Sequence, residues 1–430
     1  MLSDSIKVKI INVLFLLLPV SFIAGNLLIN LNILLLILSG LFFFGKDLLK
    51  IDFTLVDKLI FFLFIFFLTI SFYNYFKPAE ISSFDLKFIL SKTIFYFRYL
   101  LFYLVLRYFI EKEIIFLKFF FILCLACCLF VSFDIFYQLI FGNDIFGYEG
   151  VNRKLSGPFG DEWIAGAYLQ KFAPIGLFAV PLIIDLSKKN KLIFLLSILF
   201  LIILSAIVLS GNRMPLVLFL FVICLIFIFE KKLRKYLIQL LFLSSVMIFF
   251  IYNSSIEIKT NIDSFITYSK KLSTVITNEK INRLEMPSHY AEFESFYDTW
   301  QMNKYIGGGI RSFRVNCPNR GNIDPDERST CNTHPHNYYL EILTDLGLVG
   351  LALILSIFLI IFYKSFIAKY FLINKNILKT NYFITPFLFL FIAEIFPIKS
   401  TGSFFTTFNS AYIFLIMAVI VSLIKQKNYE

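Results

Sequence analysis

Leu192-Ile-Phe-Leu-Leu-Ser-Ile-Leu-Phe-Leu-Ile-Ile-Leu-Ser-Ala-Ile-Val-Leu-Ser210 contains no charged residue, and after only Gly211-Asn212-Arg213 a second apolar run covers 214–230. A helix rises 1.5 Å per residue, so about 20 apolar residues cross a hydrocarbon core of about 30 Å. Working outward, comparable runs occupy 8–24, 27–45, 57–76, 90–110, 114–141, 164–184, 236–252, 337–363, 381–397 and 410–425. The chain is 59% hydrophobic, 19% aromatic and 16% charged, whereas soluble domains carry about 25% charged residues. The fold expected is an all-α membrane protein of about twelve transmembrane helices. The first run lacks a small-residue cleavage site and leads straight into the next, which reads as a retained span rather than a signal peptide.

Twelve spans put both termini on one side. With the N-terminus inside, the inner segments hold 21 Lys and Arg residues and the outer short loops with their helix ends hold nine. This asymmetry is expected to place both termini on the cytoplasmic side of the membrane. The net charge of +11 is scattered through interhelical loops, so it argues for a membrane and against nucleic acid. Residues 253–336 break the rhythm: they are polar, contain all three histidines, and fall outside in this topology. The expected organisation is spans one to nine over 1–252, a periplasmic loop domain over 253–336, and spans ten to twelve over 337–430. Within the loop, 261–284 and 288–304 read as helical. The second has Tyr290, Phe293, Phe296, Tyr297 and Trp300 at helical spacing, which suits a helix lying on the bilayer or capping the bundle.

Four cysteines lie within apolar segments, but Cys317 and Cys331 sit in the outer loop, where oxidising conditions favour a disulfide over two separate thiols. His334 and His336 have few further ligands at usual spacing, so no metal site is expected, and no nucleotide-binding glycine motif is present.

Polar residues with chemical potential gather at the outer face. Cys331-Asn-Thr-His334-Pro-His336-Asn337 runs into a long apolar helix. Asn337 suits the N-cap, and a helix N-terminus favours a neutral imidazole able to accept a proton. The plain alternative is a cap with interfacial histidines and no chemistry. Ser210-Gly-Asn-Arg213 forms a hairpin tip; its guanidinium can snorkel or grip phosphate through its fork. Arg153-Lys154 and Asp161-Glu162-Trp163 precede a span that still holds Gln170 and Lys171, an arrangement that serves either an ion pair or a cavity. Gly307-Gly-Gly309-Ile-Arg311-Ser-Phe313-Arg314 permits a tight turn followed by two arginines. Glu394 with Pro397-Ile-Lys399-Ser-Thr-Gly402 forms a further rim.

Together these motifs resemble the O-antigen ligase and O-antigen polymerase family of bacterial envelope glycosyltransferases. The resemblance covers about 150 to 410 and rests on His-Pro-His-Asn337 with Leu340-Glu341 and Leu346-Gly-Leu-Val-Gly350, the Arg213 tip, the Gly307-to-Phe313 turn and the loop between spans nine and ten. It implies glycosyl transfer without metal or other cofactor. The donor would be a glycan on undecaprenyl pyrophosphate, and the acceptor a sugar hydroxyl of lipid A-core (ligase) or of another carrier-linked unit (polymerase). His336 or His334 would be the base and Arg213 a pyrophosphate ligand. The family's second loop arginine maps onto Arg283 by its distance from Arg213, or onto His289 when the Gly307 turn is the anchor. Arg311 and Arg314 are substitutes. A transporter or flippase also has about twelve helices, but paired mid-membrane Gly or Pro breaks are not found, and a non-catalytic scaffold would leave these polar residues dispensable.

Overall fold

The computed structural model describes residues 4–76, 82–150, 154–184, 189–231, 237–253, 288–320, 331–372, 382–399 and 402–426, with short pieces at 259–260, 263–264, 266–267 and 270. Its helices in chain order begin with α1 (Asp4–Ala24), α2 (Asn26–Phe44), α3 (Leu55–Phe76), α4 (Ser83–Tyr96), α5 (Arg98–Glu111) and α6 (Leu117–Phe141). There follow α7 (Ala165–Leu177), α8 (Val180–Ile183), α9 (Lys189–Leu209), α10 (Arg213–Phe229) and α11 (Leu237–Tyr252). The last are α12 (Ser288–Gln301), α13 (Phe313–Asn316), α14 (Tyr338–Phe362), α15 (Ile384–Glu394) and α16 (Thr407–Gln426).

Among the described residues nine helical stretches are long and apolar enough to cross a membrane. Lipid offers the backbone no partner, so a spanning segment must satisfy its own N–H and C=O groups. Outward side chains accordingly stay apolar: Leu27 is 79% exposed and Phe42 82% exposed, which in water would be an aggregation surface. Each of the twelve expected spans meets a helix, with three differences of form, the first being that the run 164–184 is divided between α7 and α8 at Phe178 and Ala179. The run 90–110 is divided at Phe97, whose N–H reaches back three residues to the Ile94 carbonyl, tightening the turn between α4 and α5. α15 has eleven residues, about 16 Å of rise, shorter than the run 381–397 that contains it. The expected helix at 288–304 is α12; the expected one at 261–284 lies largely outside the described residues.

The chain forms two compact units. Unit 1 comprises 1–39, 109–267 and 379–393. Its centre is α7, buried at nearly every position, packed against α6, α9 and α10. Gly176 lets α7 lie on α6, because a Cβ there would stand 2.8 Å from the Leu125 backbone. Phe15 packs on Phe120 and Phe22 on Phe172, with ring centroids 4.7 and 5.1 Å apart.

Unit 2 comprises 40–108, 268–378 and 394–430. α3 packs against α4 and α14, and α12 against α14. At the end of the bundle where α3 begins, Asp57 and Arg107 form an ion pair with both side chains wholly buried. Tyr103 and Thr54 donate to Asp57, and Arg107 also donates to Ser422 of α16.

Candidate active site

The opposite end of unit 2 is organised by the first turns of α14. Asn337 caps this helix, its Oδ1 accepting from the N–H groups of Tyr339 and Leu340 at 2.9 and 3.2 Å. Its amide donates to the carbonyls of Pro397 and Lys399 at 2.7 and 3.2 Å, so one side chain starts the helix and holds the neighbouring rim. Asn337, Glu341 and Asp345 recur every four residues and therefore share one face over about 12 Å.

Each carboxylate on this face is an anchor for a loop. Glu341 accepts from the Ser403 hydroxyl and the Phe404 N–H, both at 2.6 Å. Asp345 accepts from the Arg311 N–H at 2.6 Å, and from the Ser312 hydroxyl and the Phe313 N–H at 3.1 Å each. Arg311 is thereby held at φ 62°, in the left-handed region that a non-glycine residue enters at a cost.

The glycine turn fits this helix backbone to backbone. α14 breaks at Gly347, φ 66° and ψ −169°, which frees carbonyls and N–H groups one turn either side. Gly308 and Gly309 donate to the Thr344 and Asp345 carbonyls at 3.1 and 2.8 Å, while Leu348 and Val349 donate to those of Lys304 and Tyr305 at 2.9 and 3.1 Å. A Cβ on Gly307 would stand 2.4 Å from Asp345, and one on Gly347 2.3 Å from Tyr305. The turn and the break are thus one joint.

His334 and His336 stand immediately before the cap, both half-buried, with ring centroids 5.1 Å apart. Thr333 Oγ1 lies 3.0 Å from His334 Nδ1. Among the described residues the His336 imidazole makes no hydrogen bond, its recorded contact being the His334 ring. Beneath it, Lys399 Nζ donates to Glu394 at 2.8 Å and to Tyr338 Oη at 3.0 Å, and Tyr338 Oη donates to Glu394. Burial lowers the proton affinity of the Lys399 ammonium and the Glu394 carboxylate opposes that shift.

Cys317 and Cys331 are joined by a disulfide, Cα to Cα 5.6 Å, which ties the strand leading to the histidines onto the Phe296, Phe313 and Leu340 cluster. Arg320 donates to the Cys317 carbonyl at 2.9 Å and to Ser295 at 3.2 Å. Arg311 Nη2 donates to the Phe405 carbonyl at 3.0 Å. Arg314 is half-buried, its guanidinium 5.5 Å from the Phe88 ring and its Nε buried without a partner among the described residues. Burial first, then the like charge of Arg311, lower its proton affinity.

Of the other expected residues, Arg213 and Glu162 belong to unit 1, His289 belongs to unit 2, and Arg153 and Arg283 fall outside the described residues. Arg213 opens α10 and donates to Ser264 Oγ at 2.5 Å. Its hairpin tip is seated by Asn212, which donates to the Trp163 carbonyl at 2.8 Å, and by Gly166, where a Cβ would stand 2.5 Å from Ser210 Oγ. Glu162 is exposed, and Lys154 lies 4.4 Å from the Trp163 ring. His289 lies on α12; Arg153 and Arg283 lie outside the described residues. Two cations not singled out from the sequence join the unit 2 group: Lys92, 5.0 Å from the same Phe88 ring, and Arg98, 4.4 Å from the Tyr99 ring. A lysine and an arginine six residues apart in a membrane span are the signal for them.

Residues 198–355 match the family model described as O-antigen ligase. That stretch contains Arg213, the glycine turn, both loop cysteines, His334, His336, Glu341 and Asp345. No curated protein matches the chain.

Proposed function

We propose that this chain, an integral bacterial membrane protein carrying an O-antigen ligase domain at residues 198–355, transfers a glycan from undecaprenyl pyrophosphate to a sugar hydroxyl of lipid A-core on the periplasmic face. The family supports the coarser reading of a membrane glycosyltransferase with a lipid-linked glycan donor and a glycan acceptor. The observation that carries the finer one is His336. It stands half-exposed at the mouth of a capped helix, hydrogen-bonded to none of the described residues, while Asn337, Tyr338, Glu341 and Asp345 around it are all engaged.

In this mechanism the His336 imidazole takes the proton of the acceptor hydroxyl. The oxygen attacks the anomeric carbon, the bond from that carbon to the diphosphate oxygen breaks, and the diphosphate leaves on its lipid. Arg311 and Arg314 supply fixed positive charge to the leaving group, and imidazolium returns its proton to water. The Thr333–His334 contact orients the second imidazole beside the base.

The test is complementation of a host lacking the gene with His336→Ala at matched membrane abundance. A loss of about 100-fold or more in polysaccharide transfer is expected for removal of a general base. Core-lipid A without polymer, with carrier-linked polymer accumulating, identifies a ligase; core carrying a single repeat unit identifies a polymerase. A wild-type ladder from the His336→Ala chain removes His336 from the mechanism.

A further inference from the structure

We propose that Tyr297, Trp300, Met302 and Tyr305 form an interfacial anchor, a patch of unit 2 seated among the head groups of one bilayer leaflet, and that it holds the Gly347 joint at the membrane surface. The partner is a phospholipid bilayer, and the inference stands independently of the transfer reaction.

The helical stretch Tyr338–Tyr370 has 33 residues, about 50 Å of rise against a hydrocarbon core of about 30 Å. Part of it must stand beyond the core, and the break at Gly347 marks where. Residues 348–370 alone rise about 34 Å, enough to cross. Exposure changes at the same point. No residue of 338–347 is exposed, whereas Leu348, Val349, Ala352, Ser356, Leu359 and Tyr363 are exposed after the break. Their three- and four-residue spacing makes one stripe on one helix face. Ser356 donates to the Ala352 carbonyl at 2.7 Å, which satisfies its hydroxyl within the helix, so the stripe suits lipid.

The backbone bonds from Leu348 and Val349 to the Lys304 and Tyr305 carbonyls set the aromatic patch at the depth where that stripe begins. Tyr305 is 70% exposed, Tyr297 59% exposed, and Met302 is exposed beside them, so the outward apolar surface of α14 continues across the joint onto 297–305. The patch is preformed. Tyr297 and Trp300 meet edge to face with centroids 5.7 Å apart, and the Trp300 indole N–H donates to the Lys304 carbonyl at 3.1 Å. Ser295, Phe296 and Thr299 are buried, so α12 packs inward along one face and presents aromatic rings on the other. Rings with an apolar body and a polar tip favour the boundary between hydrocarbon and water. Continuity with the lipid-facing stripe makes the bilayer, rather than a soluble glycan or protein, the occupant.

Trp163 and Trp300 are the two tryptophans of the chain, so Trp163→Phe leaves Trp300 as the sole indole reporter. The full-length variant is reconstituted in vesicles of phosphatidylcholine and phosphatidylglycerol, and its emission is quenched from either side. Lipid brominated near the head-group end of the acyl chain is expected to quench Trp300 at least about twofold more than aqueous iodide does. Should Trp163→Phe fail to fold, the emission of wild type less that of Trp300→Phe gives the same quantity. Replacing Tyr305→Ser and Met302→Ser together removes anchoring surface and should shift the balance toward iodide by about twofold. The melting temperature in detergent should stay unchanged, because both side chains are exposed. Quenching by iodide with none by brominated lipid means that the face looks into water, open to a glycan or a second protein, and overturns the proposal. So does Trp300 quenching that is indifferent to the loss of Tyr305 and Met302.

Discussion

Unit 2 buries charge at both ends of the same helices and treats it in opposite ways. Where α3 begins, Arg107 donates to Asp57 at 3.1 and 3.3 Å and to Ser422 at 3.1 Å, while Asp57 takes further bonds from Tyr103 and Thr54. Where α14 begins, Lys399 pairs with Glu394, but Glu341 and Asp345 are engaged by loop N–H groups and hydroxyls, and Arg311 and Arg314 beside them have no carboxylate ion-pair partner among the described residues. The first arrangement is closed, a network whose charges answer one another. The second is open: Glu341 and Asp345 build the scaffold, and Arg311 and Arg314 are kept for something else. Local rules are broken where function needs them broken.

The largest expected effect comes from breaking the closed end. Asp57→Ala strands the Arg107 guanidinium at zero exposure, a cost of about 3–5 kcal/mol, seen as a large drop in melting temperature or loss of the monodisperse peak. Asp57→Leu with Arg107→Met removes both charges and should recover most of that loss. If the double replacement is no better than the single, the pair is more than a structural network.

Next in size is the joint beneath the open end. Gly347→Ala places a Cβ 2.3 Å from the Tyr305 backbone at a φ of 66°, and should cost on the order of 3 kcal/mol. Disulfide-dependent protease protection of the 304–320 segment should fall with it. Arg314→Gln makes the contrast with Arg107 direct. Transfer activity is expected to fall about tenfold or more with the melting temperature unchanged or raised, so a destabilised Arg314→Gln would mean that this guanidinium is structural too.

Much of the closed scaffold was readable beforehand, because apolar runs of near-bilayer length have one solution in lipid. Asn337 as cap followed from its place before an apolar run, and the glycines at 307 to 309 announced a close backbone approach. What they approached was not readable. The partner surface is a helix break at Gly347, thirty-eight positions beyond Gly309, and no local pattern pairs the two. The roles of Glu341 and Asp345 were likewise hidden, since their four-residue spacing marks a face without saying that loops will hang from it. Lys92 and Arg98 were legible only as charges counted toward orientation. Their meaning depends on Arg311 and Arg314, more than two hundred residues away.

The smallest effect tests whether burial, rather than pairing as such, makes the closed end strong. Lys425, near the end of α16, donates to the Asp52 carbonyl at 2.8 Å and lies 3.2 Å from its carboxylate, which is 72% exposed. This bridge sits at the same end of unit 2 as Asp57–Arg107 and differs from it chiefly in access to water. Asp52→Ala should therefore cost less than about 1 kcal/mol. Raising the salt to about 1 M shortens the screening length to about 3 Å, and should erase the Asp52→Ala difference while leaving the Asp57→Ala loss in place. Equal salt sensitivity at both positions would mean that ions reach Arg107, and that the closed end is open as well.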